Sequence, residues 1–153
     1  MNVRLLCEAD LAAVAELERL CFAHPWSEKS LAYLLREDNF AVVATDEEGI
    51  VRAYAGMISA ADEGEITNVA THPDCRRRGF AGMTLGFLLA EASRRGLVRV
   101  TLEVRVSNYA AHRLYETFGF SFCGTRRGFY ADPREDAAIL EKKLQNALGV
   151  SDN

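Results

Sequence analysis

One strand–turn–helix–strand stretch limits what this chain can fold into more than any other. Glu65-Ile66-Thr67-Asn68-Val69-Ala70-Thr71 reads as a short polar–apolar strand. It empties through His72-Pro73-Asp74-Cys75 and Arg76-Arg77-Arg78-Gly79-Phe80-Ala81-Gly82 into an apolar helical run. Gly96 ends that helix, and Val98–Val104 follows as a strand with Val98, Val100, Leu102 and Val104 on one face. Two strands joined by a helical crossover lie parallel in one sheet. At the helix start, free backbone N–H groups converge and the helix dipole favours negative charge. Gly79 and Gly82 let the main chain approach a ligand. The three arginines carry charge that does not titrate away. The turn therefore reads either as an anion cradle or as a solvated basic helix start.

Two phosphate-binding turns are excluded. A nucleotide P-loop needs a Gly-Lys pair, and the chain has none. A dinucleotide fingerprint needs Gly-x-Gly-x-x-Gly, whereas the spacing here is Gly79, Gly82, Gly86. The pattern met is Arg/Gln-x-x-Gly-x-Gly/Ala, by Arg76, Gly79 and Ala81. There the chain resembles the GCN5-related N-acetyltransferases (GNAT), whose corresponding turn holds the pyrophosphate of acetyl-coenzyme A.

Length and composition bound the rest. A chain of 153 residues suits one domain, expected over 1–153 with an ordered core to about 146. Hydrophobic residues at 49% and charged residues at 26% fit an ordinary globular protein, and no apolar run is long enough to span a bilayer. The start, Met1-Asn2-Val3-Arg4, is unlike a signal peptide. Cys7, Cys21, Cys75 and Cys123 lack Cys-x-x-Cys spacing and read as free thiols of a reducing cytoplasm. The three histidines are dispersed, so no metal site is inferred. A net charge of -4 argues against direct nucleic-acid binding. A monomer or weak dimer is expected.

Along the chain, Val3–Cys7 predicts an edge strand, and Asp10 a cap for a helix carrying Leu11, Val14, Leu17 and Cys21. Pro25-Trp26-Ser27 interrupts it, and Ser27 can cap a second helix through Leu31, Leu34 and Leu35. Phe40–Thr45 and Val51–Ala60 predict strands around the turn Asp46-Glu47-Glu48-Gly49. The crossover helix is expected to bury Met83, Phe87, Leu88 and Ala92. Ser107 or Asn108 caps a helix with Ala111, Leu114, Tyr115 and Phe118, closed by Gly119. Phe120–Thr125 and Ala137–Leu144 form a last pair of strands around Asp132-Pro133. This order predicts an α/β sheet of mixed direction.

Acyl transfer to an amine needs a base for the ammonium proton and an acid for the departing thiolate. Glu103 points off the Leu102 and Val104 face, and Tyr115 sits in the next helix. A buried carboxylate suits the first task and a phenol the second. Backbone N–H groups near Val69 and Ala70 can meet a developing oxyanion. The residues alone leave other readings open. Glu103 with Arg99, Thr101 and Arg105 can form a solvated strand face, and Tyr115 can be helix core.

A longer series sharpens the resemblance. Ala23-His24-Pro25-Trp26-Ser27-Glu28-Lys29, Asn68-Val69-Ala70, Leu102-Glu103-Val104-Arg105-Val106-Ser107-Asn108 and Leu114-Tyr115-Glu116-Thr117-Phe118-Gly119-Phe120 occur in that order. Arg127-Gly128-Phe129-Tyr130 and Glu135-Asp136-Ala137 follow. Over nearly the whole chain this is similar to the RimI-type protein N-acetyltransferases, which modify the N-terminal alanine of small-subunit ribosomal protein eighteen. The resemblance implies a GNAT fold: a mixed sheet of about seven strands, flanking helices, and a splayed parallel pair at the cofactor site. It implies acetyl-coenzyme A as co-substrate without a metal, and a ribosomal protein N-terminal peptide as partner. Carried over by residue, it implies Glu103 as general base and Tyr115 as general acid. Val69, Ala70, Thr71, Arg77, Arg78, Gly79, Phe80, Ala81, Gly82 and Asn108 would contact the cofactor, and Trp26 and Tyr130 the acceptor. Phe129 stands where the family has a second tyrosine, which puts that contact in question. Trp26 can equally be a hydrophobic staple on Leu31, and Tyr130 can merely close the sheet. Two other functions fit the same residues: acetylation of other N-termini or a small amine, and non-catalytic coenzyme A binding.

Overall fold

The computed structural model describes residues 1–144. The expected core end near 146 lies outside them. Eleven regular elements run β1 (Asn2–Leu5), α1 (Leu11–Cys21), α2 (Glu28–Leu31), β2 (Phe40–Thr45), β3 (Val51–Ala60), β4 (Glu63–Thr71), α3 (Phe80–Arg94), β5 (Arg99–Arg105), α4 (Tyr109–Thr117), β6 (Ser121–Ala131) and β7 (Arg134–Lys143). Short 3₁₀ turns precede α1, follow α2 and precede α3. The strands form a single seven-stranded sheet ordered β1-β2-β3-β4-β5-β7-β6. Among the described residues only β4 and β5 pair in parallel, as the crossover helix requires.

The sheet is a middle layer. On one side α3 covers it, with Phe40, Val42, Met57, Leu85, Leu88, Val100, Leu102 and Leu140 in the core. On the other, α1, α2 and the 3₁₀ turn after it pack Val14, Leu17, Leu31 and Leu34 against Ala41, Val43, Tyr54 and Ala70. Alternation along β2 sends Phe40 and Val42 to one core and Ala41 and Val43 to the other, so this strand is buried throughout. Among the described residues no helix is long and apolar enough to cross a membrane.

Several expected details move. The buried stripe of α3 is Phe80, Thr84, Leu85, Leu88, Leu89 and Ala92, while Met83 and Phe87 are exposed. The helix is apolar on more than one face, so sequence alone does not tell which face meets the sheet. Asp10 precedes α1 but does not cap it. Its carboxylate takes Arg4 Nη1 and Nη2 at 2.7 and 2.8 Å and the Cys7 amide at 2.9 Å. Ser27 does cap α2, accepting the Ser30 amide at 3.1 Å. Val98 lies just before β5 and is half-buried. The last two strands extend toward each other as far as Ala131 and Arg134, because the hairpin pairs right up to its turn. Gly86 packs by Phe118, where an added Cβ would lie 3.5 Å from the ring, so space does not demand the glycine.

Gly56 is under a tighter constraint. The register of β3 and β4 slips between Ala55 and Met57, a bulge that sets Gly56 against Thr67 and Asn68. A Cβ there would lie 2.7 Å from Thr67 Oγ1 and 2.9 Å from Leu34 Cδ1. Gly56→Ala is therefore expected to destabilise the fold by about 1–3 kcal/mol through overpacking. A lower denaturant midpoint at unchanged slope would register this, and an unchanged midpoint would refute it.

Candidate active site

β4 and β5 pair only at Glu63–Arg99, Gly64–Val100 and Glu65–Thr101. Beyond these pairs β4 continues to Thr71 and β5 to Arg105, and the two separate. The main chain of β4 then has a free edge. The His72 amide donates to the Arg52 carbonyl at 2.7 Å. By alternation, the Ala70 N–H and C=O also face β3, and those of Val69 and Thr71 face the gap. The amide expected from Ala70 is thus committed to the ladder, and Val69 supplies the free one. Cys21 Sγ donates to the Thr71 carbonyl at 3.3 Å.

At the end of the gap sits the start of α3. Gly79 precedes the helix at φ 85°, where a side chain is strained, and Arg77 holds φ 65°. The Met83 amide donates to the Gly79 carbonyl at 3.0 Å. The amides of Phe80, Ala81 and Gly82 lie before that first helical bond and have no intrahelical acceptor. An added Cβ at Gly79 or Gly82 would meet nothing within 4 Å, so space is open around both.

The gap and the helix start open into one cleft of about 950 Å³. Most of the expected residues line it: Trp26, Val69, Ala70, Thr71, Arg77, Gly79, Phe80, Ala81, Gly82, Glu103, Asn108, Tyr115 and Tyr130. Arg78 does not. Arg76 does; it opens the turn pattern but was not among the expected cofactor contacts. Phe80 is also a core residue, packed with Ala44, Ala53 and Cys75. Asn108 accepts the Ala111 amide at 3.2 Å as the cap of α4, which leaves its Nδ2 for other partners.

Glu103 projects from β5 with its side chain 17% exposed. Arg126 of β6 stands 3.0 Å from Glu103 Oε1 as an ion pair without hydrogen-bond geometry. Burial pushes the Glu103 carboxyl above its usual range; Arg126 opposes that, and Glu65 adds to it. Tyr115 lies on α4 with its ring against Phe120, centroids 5.7 Å apart. Burial, then the neighbouring Tyr130, push its phenol up to about 12. Among the described residues its hydroxyl has no protein partner. Tyr115 itself lines the cleft.

The far wall of the cleft is built from the end of β6 with its turn and from the Trp26 loop. Arg105 ties the β6–β7 turn to β5, donating to the carbonyls of Asp132 and Pro133 at 3.0 and 2.8 Å and pairing with Glu135 at 3.2 Å. It also lies 4.3 Å from the centre of the Tyr130 ring and holds it over the cleft. Phe129 stacks edge-on to Tyr130 at 5.0 Å and does not line the cleft. Opposite, Glu18 of α1 is fully buried. It accepts the Trp26 amide at 2.8 Å, Asn68 Nδ2 at 2.8 Å and the Tyr54 hydroxyl. This carboxylate joins the Trp26 loop to the β4 bulge. Sequence reading passed it over, yet a signal existed: Glu18 falls on the apolar stripe of α1, with Val14, Leu17 and Cys21. Arg126 carried no such signal, since only tertiary pairing brings β6 beside Glu103.

A sequence profile for the Acetyltransferase (GNAT) family matches residues 11–120. The chain is 37% identical over 141 residues to a protein of Salmonella typhimurium named [Ribosomal protein bS18]-alanine N-acetyltransferase, spanning 91% of this chain and 95% of that one. The fold is similar to a crystal structure of the ribosomal-protein-S18-alanine N-acetyltransferase from Escherichia coli. There the TM-score is 0.86 at 36% identity, over 93% of this chain and 92% of that one. A GNAT superfamily phosphinothricin acetyltransferase from Sinorhizobium meliloti, in complex with AcCoA, shares the fold at TM-score 0.81 and 19% identity, over 99% and 93%.

Proposed function

The chain belongs to the GNAT family of acetyltransferases, and from that premise we propose that it acetylates the N-terminal alanine of ribosomal protein bS18 with acetyl-coenzyme A. The substrate follows the names of relatives that are 36–37% identical over most of the chain. The observation that carries the reading is the single cleft joining the α3 start, the open β4 edge, Glu103, the Trp26 loop and Tyr130 at the end of β6.

The residues present fit the co-substrate. Free amides at Phe80 to Gly82, open space at two glycines, and the Arg76 and Arg77 guanidinium groups suit a diphosphate. The unpaired main chain of Val69 and Thr71 suits an extended, amide-bearing arm, as a sheet edge accepts an added strand. Acetyl-coenzyme A supplies an acyl group activated as a thioester. Glu103 accepts the proton of the incoming α-amine. As nitrogen bonds to the carbonyl carbon, the Val69 amide faces the growing charge on oxygen. As the carbon–sulfur bond breaks, Tyr115 donates its phenolic proton to sulfur and regains one from solvent. A phenol held near 12 keeps its proton at neutral pH, so the donor is always loaded. Every residue named comes from one copy of the chain. The reaction belongs in the cytoplasm, where ribosomal proteins and free thiols both occur.

Intact-mass analysis of peptides incubated with acetyl-coenzyme A tests the proposal. A peptide with the alanine-first N-terminus of bS18 is expected to gain a single acetyl group on its α-amine. Modification confined to lysine or to small amines would overturn the reading, and so would binding of the donor without any transfer.

A further inference from the structure

We propose that Arg126 is a positioning residue for this reaction: its guanidinium, paired with Glu103, cancels the carboxylate's field toward the acceptor nitrogen, so that the amine is not trapped there as ammonium. The inference rests on the proposed function, in which Glu103 is the base.

A lone carboxylate in a cleft attracts cations. An α-ammonium titrates near ~7.7–8.0 in water, and a salt bridge to Glu103 would raise that value. Held in this way, the nitrogen has no lone pair with which to attack. A permanent cation already on the carboxylate removes the attraction without removing the base. The geometry suits that role. Arg126 Nε lies 3.0 Å from Oε1, and a carboxylate has about four acceptor sites on its two oxygens, so others remain for water or amine. Among the described residues Arg126 is the only cation in ion contact with Glu103.

The other groups around Glu103 do not substitute for it. Glu65 faces it from β4 and is itself negative. Tyr130 of β6 is neutral when protonated, and its phenol is pushed up by burial and by Glu103. Arg105, on the same strand, is committed to Glu135 and the β6–β7 turn. On β7 the neighbour across the ladder is the apolar Ile139. Arg126 itself extends from an edge strand, its side chain 58% exposed and its guanidinium 5.8 Å from the centre of the Phe129 ring. Its replacement therefore leaves the core intact.

The test is Arg126→Gln, with Arg126→Lys as the charge-keeping control. Two unreactive bS18-type peptides serve as inhibitors, one ending in a permanent trimethylammonium group and one in its carbon isostere. Their ratio of inhibition constants isolates charge from shape. In Arg126→Gln the ratio is expected to move about tenfold toward the cation, and in Arg126→Lys to stay near wild type. The acid limb of kcat/KM against pH is expected to move to higher pH in Arg126→Gln, since the group that holds Glu103 ionised is gone. An unchanged ratio and unchanged limb, with Glu103→Gln still inactive, would overturn the role of Arg126 and leave the function standing. A Glu103→Gln enzyme with wild-type activity and pH profile would instead remove the base assignment, and the inference with it.

Discussion

Glu103→Gln is expected to lower kcat/KM for an alanine-first peptide by about 10²–10⁴-fold, with acetyl-coenzyme A binding nearly unchanged. The substitution keeps the size and planarity of the side chain and removes only the basic oxygen. Glu103 lies on β5 and the proposed diphosphate contacts lie on α3 and the turn before it, so the substitution removes none of them. The lost ion pair with Arg126 costs little stability, because that arginine is more than half exposed. The pH dependence has a definite sign. Burial raises the Glu103 carboxyl above the usual glutamate range, so the wild-type acid limb should lie above that of an ordinary glutamate. Activity should fall as pH drops through that limb, where the base becomes protonated. In Glu103→Gln the limb should vanish along with most of the rate. Single-turnover rates across pH would measure this, and a variant retaining both rate and limb would place the base elsewhere.

Tyr115→Phe is expected to reduce turnover on a similar scale, about 10²–10⁴-fold, while KM for both substrates changes little. Tyr115 is 8% exposed, and its ring packs in the core with Phe120 and Leu114. Phenylalanine preserves that packing and deletes one oxygen that has no protein partner. The melting temperature should therefore hold, because no internal hydrogen bond is lost. Thermal unfolding beside steady-state kinetics separates the two roles. A large drop in melting temperature with normal turnover would mean that Tyr115 serves only as core.

Much of this was legible in the chain. Alternation in β5 put Leu102 and Val104 inside and Glu103 off that face, and the strand behaves so. Gly96 marked the end of α3, and Ser107 or Asn108 the start of α4, where Asn108 is the cap. These signals are local: a period, a cap, a positive φ. The misreadings share a different origin. Met83 and Phe87 looked as apolar as their neighbours, and only the sheet's position decided that they face out. Asp10 had the right spacing to cap α1, but Arg4 from β1 competes for its oxygens. Ala70 and Val69 were equivalent on paper until the β3 ladder took one amide and left the other.

The sequence by itself determined the elements, their order and the parallel crossover, because helix caps, strand alternation and glycine turns depend on residues near one another in the chain. It also placed Glu103 and Tyr115 on adjoining elements. Tertiary structure alone decided where β4 and β5 part, which amide that parting leaves free, that Glu18 lines the cleft and that Arg126 meets Glu103. Each of these depends on pairing between distant segments: the β4 bulge opposite Gly56, the return of β6 and β7 past β5, and the burial of a carboxylate where α1 meets β3 and β4. Contacts of that kind are set by how whole layers pack, and no local pattern encodes them.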